Sequence, residues 1–492
     1  MNYLHFLWLE LAILTPLVGA VLVSRVHDPE KARRGALAAQ GLTLVWTVAA
    51  WIDFSTLHTF AASDHWDAVS ALWVSDLWLI DELSAPLLTL AALQFFLTIL
   101  STLRTKMHGY PFGLTLVSES LMLAMLACGS ATGIIVLLVA QCVPVWQEIR
   151  ATGRSTRVFT LHSLLFIGLL VVGSLLYDDS DPESLRSLLA VGMLVGGVLV
   201  RSGVVPVHCW MTDLFEKATF GTALLYVAPM AGAYAAVRLV IPVAPDWALR
   251  GIALMSLVTA VYAAAMSLAQ SEVRRFFCYL FLSHSSLVLV GVQVATPLGL
   301  TGGLYVWLSV GISLTGFGLT LRALESRTGR ISLADYHGLY EHMPSLAVFF
   351  LLTGLASVGF PGTAGFVGTE LLMDGAIDVY PYVGVLVVFA AALNGIAVLH
   401  AYLRLFTGTV HTASIPLSAR LPERIAVLSL TALILGGGIF PQAGVTSRYH
   451  AATEILSRRR VAAPTSTETI DTVSGIRDDA LADGTTARPF RR

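Results

Sequence analysis

Long apolar stretches, repeated along most of the chain, are the feature that most limits what this sequence can fold into. The first covers residues 4–23 and the last residues 425–440. A helix of about 20 apolar residues spans the roughly 30 Å of bilayer hydrocarbon, so the chain has material for about fourteen spans. With 56% hydrophobic and 13% charged residues, it is too apolar for a water-soluble protein. We therefore predict an all-α polytopic membrane protein of about fourteen transmembrane helices.

The distribution of basic residues predicts how these spans are oriented. Lysine and arginine in short loops stay on the cytoplasmic side of a membrane. They follow the first span and then every second span, for example Arg104, Arg154 and Arg274, whereas the intervening loops are acidic or uncharged. We expect a multi-pass protein of the cell inner (plasma) membrane with both termini outside. Arg250 and the basic run 458–460 depart from this pattern.

Composition also predicts where the membrane domain ends. We assign residues 1–457 to a transmembrane domain and residues 458–492 to a disordered tail, because the tail is rich in Ser, Thr, Asp, Ala and Pro. The four cysteines lie in or beside apolar stretches without the spacing of metal ligands. We expect no metal site, no cofactor and no nucleic-acid partner.

Glycine and proline interrupt two of the predicted spans. The seventh contains Gly203 and Pro206, and the twelfth contains Gly359, Pro361 and Gly362. Proline removes a backbone donor, so unwound peptide groups at membrane depth need protein or water as partners. Broken helices at matching positions of two halves are typical of inverted-repeat transporters. We therefore predict two inverted five-helix repeats, at about residues 112–240 and 252–406, with broken helices 7 and 12.

Polar residues within the apolar stretches are candidates for an ion pathway. Arg201 is the most informative, because an arginine at a helix centre costs about 2.5–3.5 kcal/mol on insertion scales and needs a polar partner. A histidine alone is more often a satisfied core residue. The candidates at membrane depth are Glu119, Gln141, Arg201, His208, His284, Glu370, Asn394 and His400.

Four sequence blocks resemble the antiporter-like membrane subunits of respiratory complex I. They are residues 206–213 (PVHCWMTD), 222–230 (TALLYVAPM), 269–275 (AQSEVRR) and 359–368 (GFPGTAGFVG). The resemblance covers roughly residues 112–409. The same family includes subunits of multi-subunit sodium/proton antiporters, membrane-bound hydrogenases and bacterial inorganic-carbon uptake complexes.

The resemblance implies a proton path, and this chain departs from it at several positions. The family path uses a glutamate in helix 5, lysines in helices 7 and 8, a histidine in helix 11, and a lysine or glutamate in helix 12. The residues that stand at these positions here are Gln141, Arg201, Tyr226 or Met230, Val310, and Thr369 with Glu370 beside it.

These departures change the expected chemistry. An arginine side chain keeps its proton at any physiological pH, and a glutamine does not titrate, so Arg201 and Gln141 cannot carry protons. Arg201 would act as a fixed charge, which Glu119 or Glu370 could compensate. The titrating groups would be His208, His284 and Glu370, with Glu119 as a further candidate.

The resemblance implies a proton-translocating membrane subunit of a complex I-like, NADH-quinone oxidoreductase-type translocase. We expect a subunit without catalytic chemistry of its own, with other membrane subunits, the lipid bilayer and protons, or Na⁺, as its partners. One alternative is a proton-conducting subunit of an inorganic-carbon uptake complex or of a multi-subunit cation/proton antiporter. Another is a non-conducting scaffold, because titratable positions have been lost.

Overall fold

Helices make up most of the described chain. The computed structural model describes residues 2–64, 77–294, 296–377, 381–408 and 418–462. Ten of its helical segments are long and apolar enough to cross a membrane. They are α2 (Pro29–Leu57), α5 (Ala131–Ala151), α6 (Arg157–Leu176), α7 (Leu185–Ser202), the run Phe220–Val240, α11 (Asp246–Leu268), α12 (Val273–Gln293), α13 (Pro297–Thr328), α16 (Pro381–Phe406) and α17 (Leu421–Ile439).

Shorter helices complete the bundle. Four more are apolar: α1 (Trp8–Ser24), α3 (Ser84–Leu100), α4 (Phe112–Ala127) and α14 (Pro344–Val358). The run Phe220–Val240 consists of α9 (Phe220–Val227), α10 (Ala231–Ala235) and a π-helix (Ala236–Val240). The remaining helices are α8 (Cys209–Lys217), α15 (Ala364–Ile377), α18 (Gln442–Ala462) and a 3₁₀ helix (Arg104–Gly109). The architecture is all-α and polytopic, as the sequence predicts. The two inverted repeats stay a prediction.

Both predicted helix interruptions are present. Helix α7 ends at Gly203, which has φ +74, and α8 begins at Cys209 beyond a cis Val205–Pro206 bond. Helix α14 ends at Gly359 with φ +88, and Gly362 has φ +86 just before α15. Glycine tolerates this left-handed region because it has no Cβ.

A third interruption, which the sequence analysis missed, separates α9 from α10. Met230 follows Pro229 and has φ +52, an unusual value for a residue with a side chain. Gly232 then packs on the end of α7, where a Cβ would lie 2.3 Å from the Ser202 Oγ. The breaks of the seventh and eighth spans therefore meet beside Arg201.

A small sheet anchors one end of the bundle. Strand β1 (Asn2–Leu4) pairs in parallel with β2 (Ala61–Asp64), and β2 pairs antiparallel with β3 (Leu79–Asp81). The carboxylate of Asp64 accepts hydrogen bonds from the backbone N–H groups of Leu9 and Glu10, at 3.1 and 3.0 Å. These contacts cap the amino end of α1.

Helix α18 lies over the same end of the molecule. Arg448 donates hydrogen bonds to the carbonyl oxygens of Glu82 and Leu83, and Arg459 forms a 2.5 Å ion pair with Asp246. The helix extends past residue 457, where the disordered tail was predicted to begin. Residues 463–492 lie outside the described residues, so disorder there stays a prediction.

Loops that were predicted to share a side of the membrane do contact one another. The sheet, α18 and Asp246 belong to loops predicted to be outside. At the other end, three ion pairs join loops predicted to be cytoplasmic. They are Arg274–Glu325 at 2.6 Å, Arg275–Glu216 at 2.9 Å and Arg327–Glu423 at 2.5 Å. Which face is cytoplasmic stays a prediction.

Burial differs strongly among the helices. On α12 every residue from Phe276 to Gln293 is buried. On α6, by contrast, Leu161, Leu164 and Leu175 expose 61–73% of their surface. Helices such as α6 therefore form the apolar exterior, and α12 lies at the centre of the bundle, next to the broken spans.

Candidate functional site

Arg201 lies in the last turn of α7, just before the first break, and is 4% exposed. Its guanidinium carbon lies 4.2 Å from the ring centroid of Tyr226 and 5.8 Å from that of Trp210. The electron-rich faces of such rings attract a cation. The Trp210 indole N–H donates a 2.9 Å hydrogen bond to the Val200 carbonyl, which fixes this ring against α7.

Arg201 has aromatic neighbours but no acidic partner. Among the described residues it forms no salt bridge, and its Nε and Nη2 have no hydrogen-bond partner. The sequence suggested that Glu119 or Glu370 balances the charge of Arg201. In the structure neither carboxylate is paired with Arg201. The charge of this guanidinium is balanced only by π faces within the described chain.

Tyr226 connects Arg201 to the fifth span. Its hydroxyl lies 3.4 Å from the sulfur of Cys142, the residue after Gln141 on α5. The Gln141 amide nitrogen lies 3.3 Å from the Met125 sulfur, while its carbonyl oxygen has no partner among the described residues. The structure thus brings three of the predicted residues together: Gln141, Arg201 and Tyr226.

A small cavity of about 20 Å³ lies beside Tyr226 and is lined by residues of α4, α5 and α9. Its polar lining consists of Thr115, Ser118, Gln141, Glu148, Thr222 and Tyr226. A cavity with several converging polar groups can hold ordered water. It therefore offers a wet region beside the Arg201 cluster.

Glu148 is a buried carboxylate in this cavity that the sequence analysis missed. It is 4% exposed and lies two helical turns after Gln141 on α5. One carboxylate oxygen accepts a 2.8 Å hydrogen bond from the Thr219 N–H, and the other accepts one from the Thr222 hydroxyl. The seven-residue spacing from Gln141, which keeps both side chains on one helix face, could have identified it.

Glu119 lies apart from this cluster. It is fully buried on α4, near the amide of Gln40 on α2. Neither of its oxygens meets hydrogen-bond geometry with a partner among the described residues. Glu119 is therefore not paired with Arg201.

The two predicted histidines have different surroundings. His208 lies at the start of α8 against the rings of Tyr262 and Tyr279, with centroids 5.6 and 5.9 Å away. His284 is buried on α12, and its Nε2 has no partner among the described residues. The neighbouring Ser283 hydroxyl accepts a 2.9 Å hydrogen bond from the Asn394 amide of α16. His284 is thus a buried histidine in the second half of the bundle.

The two residues at the twelfth-helix position differ in burial. Thr369 is partly buried and donates to the Gly365 carbonyl at 2.8 Å, whereas Glu370 is exposed on α15. Val310 is buried on α13, at the position of the family histidine. His400 is partly buried and lies 3.3 Å from the Nε of Arg404. The polar cluster is therefore concentrated in the first half of the chain.

Comparison with known proteins gives this arrangement a context. Residues 153–394 match the family described as NADH:quinone oxidoreductase/Mrp antiporter, TM. Over this region the chain is similar to the antiporter-like family. The matched region includes Arg201, Tyr226 and His284, while Gln141 and Glu148 precede it.

Individual relatives cover from 70% to 96% of this chain. NAD(P)H-quinone oxidoreductase chain 4 1 of Thermosynechococcus vestitus is 27% identical, over 96% of this chain and 97% of its own length. NADH-quinone oxidoreductase subunit 13 of Thermus thermophilus is 28% identical, over 70% of this chain and 80% of its own length. The likeness therefore includes the amino-terminal and carboxy-terminal helices as well as the central region.

Solved structures share the fold. A chain of respiratory complex I from Thermus thermophilus has a TM-score of 0.78 at 22% identity, over 92% of this chain and 99% of that one. A chain of the Mrp complex from Dietzia sp. DQ12-45-1b has a TM-score of 0.81 at 19% identity, over 93% and 100%. The arrangement of helices is thus that of antiporter-like subunits, including the region around the Arg201 cluster.

Proposed function

We propose that this chain is a proton-translocating membrane subunit of a complex I-like assembly in the cell inner membrane. The family match and the relatives support this proposal, because the relatives are named as subunits of NADH-quinone or NAD(P)H-quinone oxidoreductases. The chain would contribute a proton path, and partner subunits would supply the energy and any redox chemistry.

The observation that carries the proposal is the buried carboxylate of Glu148 in a cavity that ends at Gln141 and Tyr226. Gln141 cannot titrate, but Glu148 can, and both lie on the same face of α5. Its two carboxylate oxygens accept hydrogen bonds from the Thr219 N–H and the Thr222 hydroxyl, which hold the group at the cavity. Glu148 would therefore take over the proton-accepting role that the family assigns to a glutamate of helix 5.

Arg201 would then set the direction of proton movement. Its fixed charge lies beyond Tyr226 and repels a proton that reaches this ring from the cavity. A change in the partner assembly that alters the Arg201 environment would lower this barrier. His284 would accept protons in the second half, and the exposed Glu370 would face a neighbouring subunit.

The test is proton flux through the full chain in proteoliposomes, driven by a potassium diffusion potential and followed with an entrapped pH-sensitive dye. Replacing Glu148 with Gln is expected to lower the flux at least about tenfold, because the relay loses its titrating group. Glu216→Gln is the matched control. This carboxylate lies on the same side but is paired with Arg275, outside the cavity, so its replacement should leave the flux unchanged.

Two results would contradict the proposal. Flux that is indistinguishable from protein-free vesicles would indicate the scaffold alternative. Flux that is equal in the wild type and in Glu148→Gln would remove Glu148 from the path. Identification of the subunits that co-purify with the chain would separate a complex I-like assembly from an antiporter or carbon-uptake complex.

A further inference from the structure

We propose that Arg201 holds a small monovalent anion of the chloride class in a second cavity, formed where the broken seventh and eighth spans meet α12. This site is separate from the Glu148 cavity, and the inference does not depend on whether the chain conducts protons.

The second cavity is small, with a volume of about 20 Å³. It is lined by the ends of α7 and α10 together with α8 and α12, and its polar groups are Arg201, Ser202 and Ser285. The lining contains no acidic residue. Its remaining walls are apolar, for example Met211, Phe281 and Leu289. The cavity is therefore a low-dielectric space with a single charged wall.

The Ser285 hydroxyl donates to the Leu282 carbonyl, but donors of Arg201 and Ser202 at this cavity are not used elsewhere among the described residues. The Nε and Nη2 of Arg201 and the Oγ of Ser202 are buried and have no hydrogen-bond partner among the described residues. A guanidinium group donates its hydrogen bonds in its own plane, whereas Tyr226 interacts with its face. The in-plane N–H groups of Arg201 therefore remain available to a ligand.

The charge of Arg201 requires a counter-charge that the described chain does not supply. A buried charge is costly unless it is paired and hydrogen-bonded. The buried carboxylates of the first half are placed elsewhere: Glu148 is bound by Thr219 and Thr222, and Glu119 lies near Gln40. A bound anion with one negative charge would neutralise the site.

The number and type of the donors favour a monoatomic anion. A spherical halide is satisfied by a few converging N–H and O–H groups and tolerates apolar walls. An oxyanion such as phosphate presents several oxygens, each of which needs a donor, and would carry more charge than Arg201 can balance. The geometry therefore fits chloride better than phosphate.

The probe is radioactive chloride, measured by equilibrium binding to the full chain in lipid nanodiscs. Gluconate replaces chloride in the unlabelled buffer so that ionic strength stays constant. We expect saturable binding in the wild type, and binding at least about tenfold weaker in Arg201→Gln. The milder variant Ser202→Ala keeps the guanidinium and should weaken binding by a smaller factor.

Arg322→Gln is the matched control. Arg322 is a partly buried arginine whose guanidinium donates hydrogen bonds to the Thr98 carbonyl and the Thr102 hydroxyl, away from this cavity. This variant loses the same charge and should keep chloride binding. If Arg201→Gln does not fold, Ser202→Ala and Arg201→Lys still test the site, since Lys keeps the charge and should retain weaker binding.

Three results would overturn the inference: no saturable chloride binding in the wild type, unchanged binding in Arg201→Gln or in both milder variants, or equal loss in Arg322→Gln. The measurement uses no proton gradient. A chain that binds chloride but carries no protons would therefore refute the proposed function and leave the anion site intact.

Discussion

At the scale of single residues, the ion pair between Asp81 and Arg238 shows how the surface sheet is joined to the eighth span. Asp81 is buried, the Arg238 side chain is 16% exposed, and the two are 2.7 Å apart. The Nε of Arg238 also donates a 3.1 Å hydrogen bond to the Tyr234 hydroxyl. Removing one partner of a buried pair leaves the other charge uncompensated. We expect Asp81→Asn to lower the free energy of unfolding by about 3–5 kcal/mol. Denaturant or thermal unfolding in one detergent measures it.

The contribution of the Asp81–Arg238 ion pair to stability should depend on pH. Burial raises the pKa of Asp81, but the charge of Arg238 and the hydrogen bonds from Ser84 and Arg238 outweigh it, so the pKa lies below 3.8. A carboxyl group whose pKa is lower in the folded than in the unfolded protein stabilises the fold at pH values above its unfolded pKa. The difference in the free energy of unfolding between wild type and Asp81→Asn should therefore be constant near neutral pH. It should become smaller below pH 3.8. A difference that grew on acidification would contradict this assignment.

The residue scale also shows what the sequence could predict of the site. The sequence identified three residues of the site, Arg201, Gln141 and Tyr226. Each is either an unusual residue type within an apolar stretch or stands at a position of the family proton path. Glu148 was missed because it lies next to Arg150, where the stretch looks like the start of a loop. Glu370 was placed on the polar axis, yet it is exposed, because the direction of α15 after the break depends on tertiary packing.

At the scale of elements, glycines determine how closely the second half of the twelfth span packs on α13. A Cβ on Gly302 would lie 2.3 Å from the Leu372 backbone nitrogen, and one on Gly375 would lie 2.1 Å from that of Gly299. Overpacking of this kind typically costs about 1–3 kcal/mol. We expect Gly302→Ala to lower the thermal unfolding midpoint.

The matched control for this change is Gly251→Ala on α11, where nothing lies within 4 Å of the added Cβ. Alanine favours helix by about 0.8–1.0 kcal/mol over glycine, so this variant should be neutral or slightly more stable. If both variants were destabilised equally, the effect of Gly302→Ala would not come from the close contact between α13 and α15.

The element scale separates two kinds of helix break. Those at Pro206 and Pro361 were predictable because proline and glycine cannot continue a regular helix there. The break at Met230 was missed although Pro229 directly precedes it, because the surrounding stretch is continuously apolar. The contact of Gly232 with Ser202 joins distant parts of the chain and has no local sequence signal.

At the scale of the whole molecule, the alternation of basic and acidic loops predicts which face is cytoplasmic. The test uses single cysteines in a chain whose four native cysteines have been replaced. Asp179→Cys, in a loop predicted to be outside, should react with a membrane-impermeant thiol reagent in intact cells. Arg104→Cys should react only after permeabilisation, because basic loops are retained inside.

The reverse labelling pattern would invert the predicted orientation without changing the fold. The contacts within each face, such as Arg274–Glu325 at one end and Arg459–Asp246 at the other, depend only on which loops share a side. Sequence could predict this grouping because charge placement is a local property. It could not predict α18 as a covering helix, since its low hydropathy is also typical of a tail.

The burial of residues 276–293 of α12 also bears on how the protein can be handled. Detergent molecules that replace the bilayer would contact the apolar surface of α6 and other outer helices, but they would not reach residues 276–293. The buried interior includes the hydrogen bond between Ser283 and Asn394 and the cavity walls beside Arg201. Solubilisation should therefore leave this interior unchanged, and binding measured on the extracted chain should report its properties in the native bilayer.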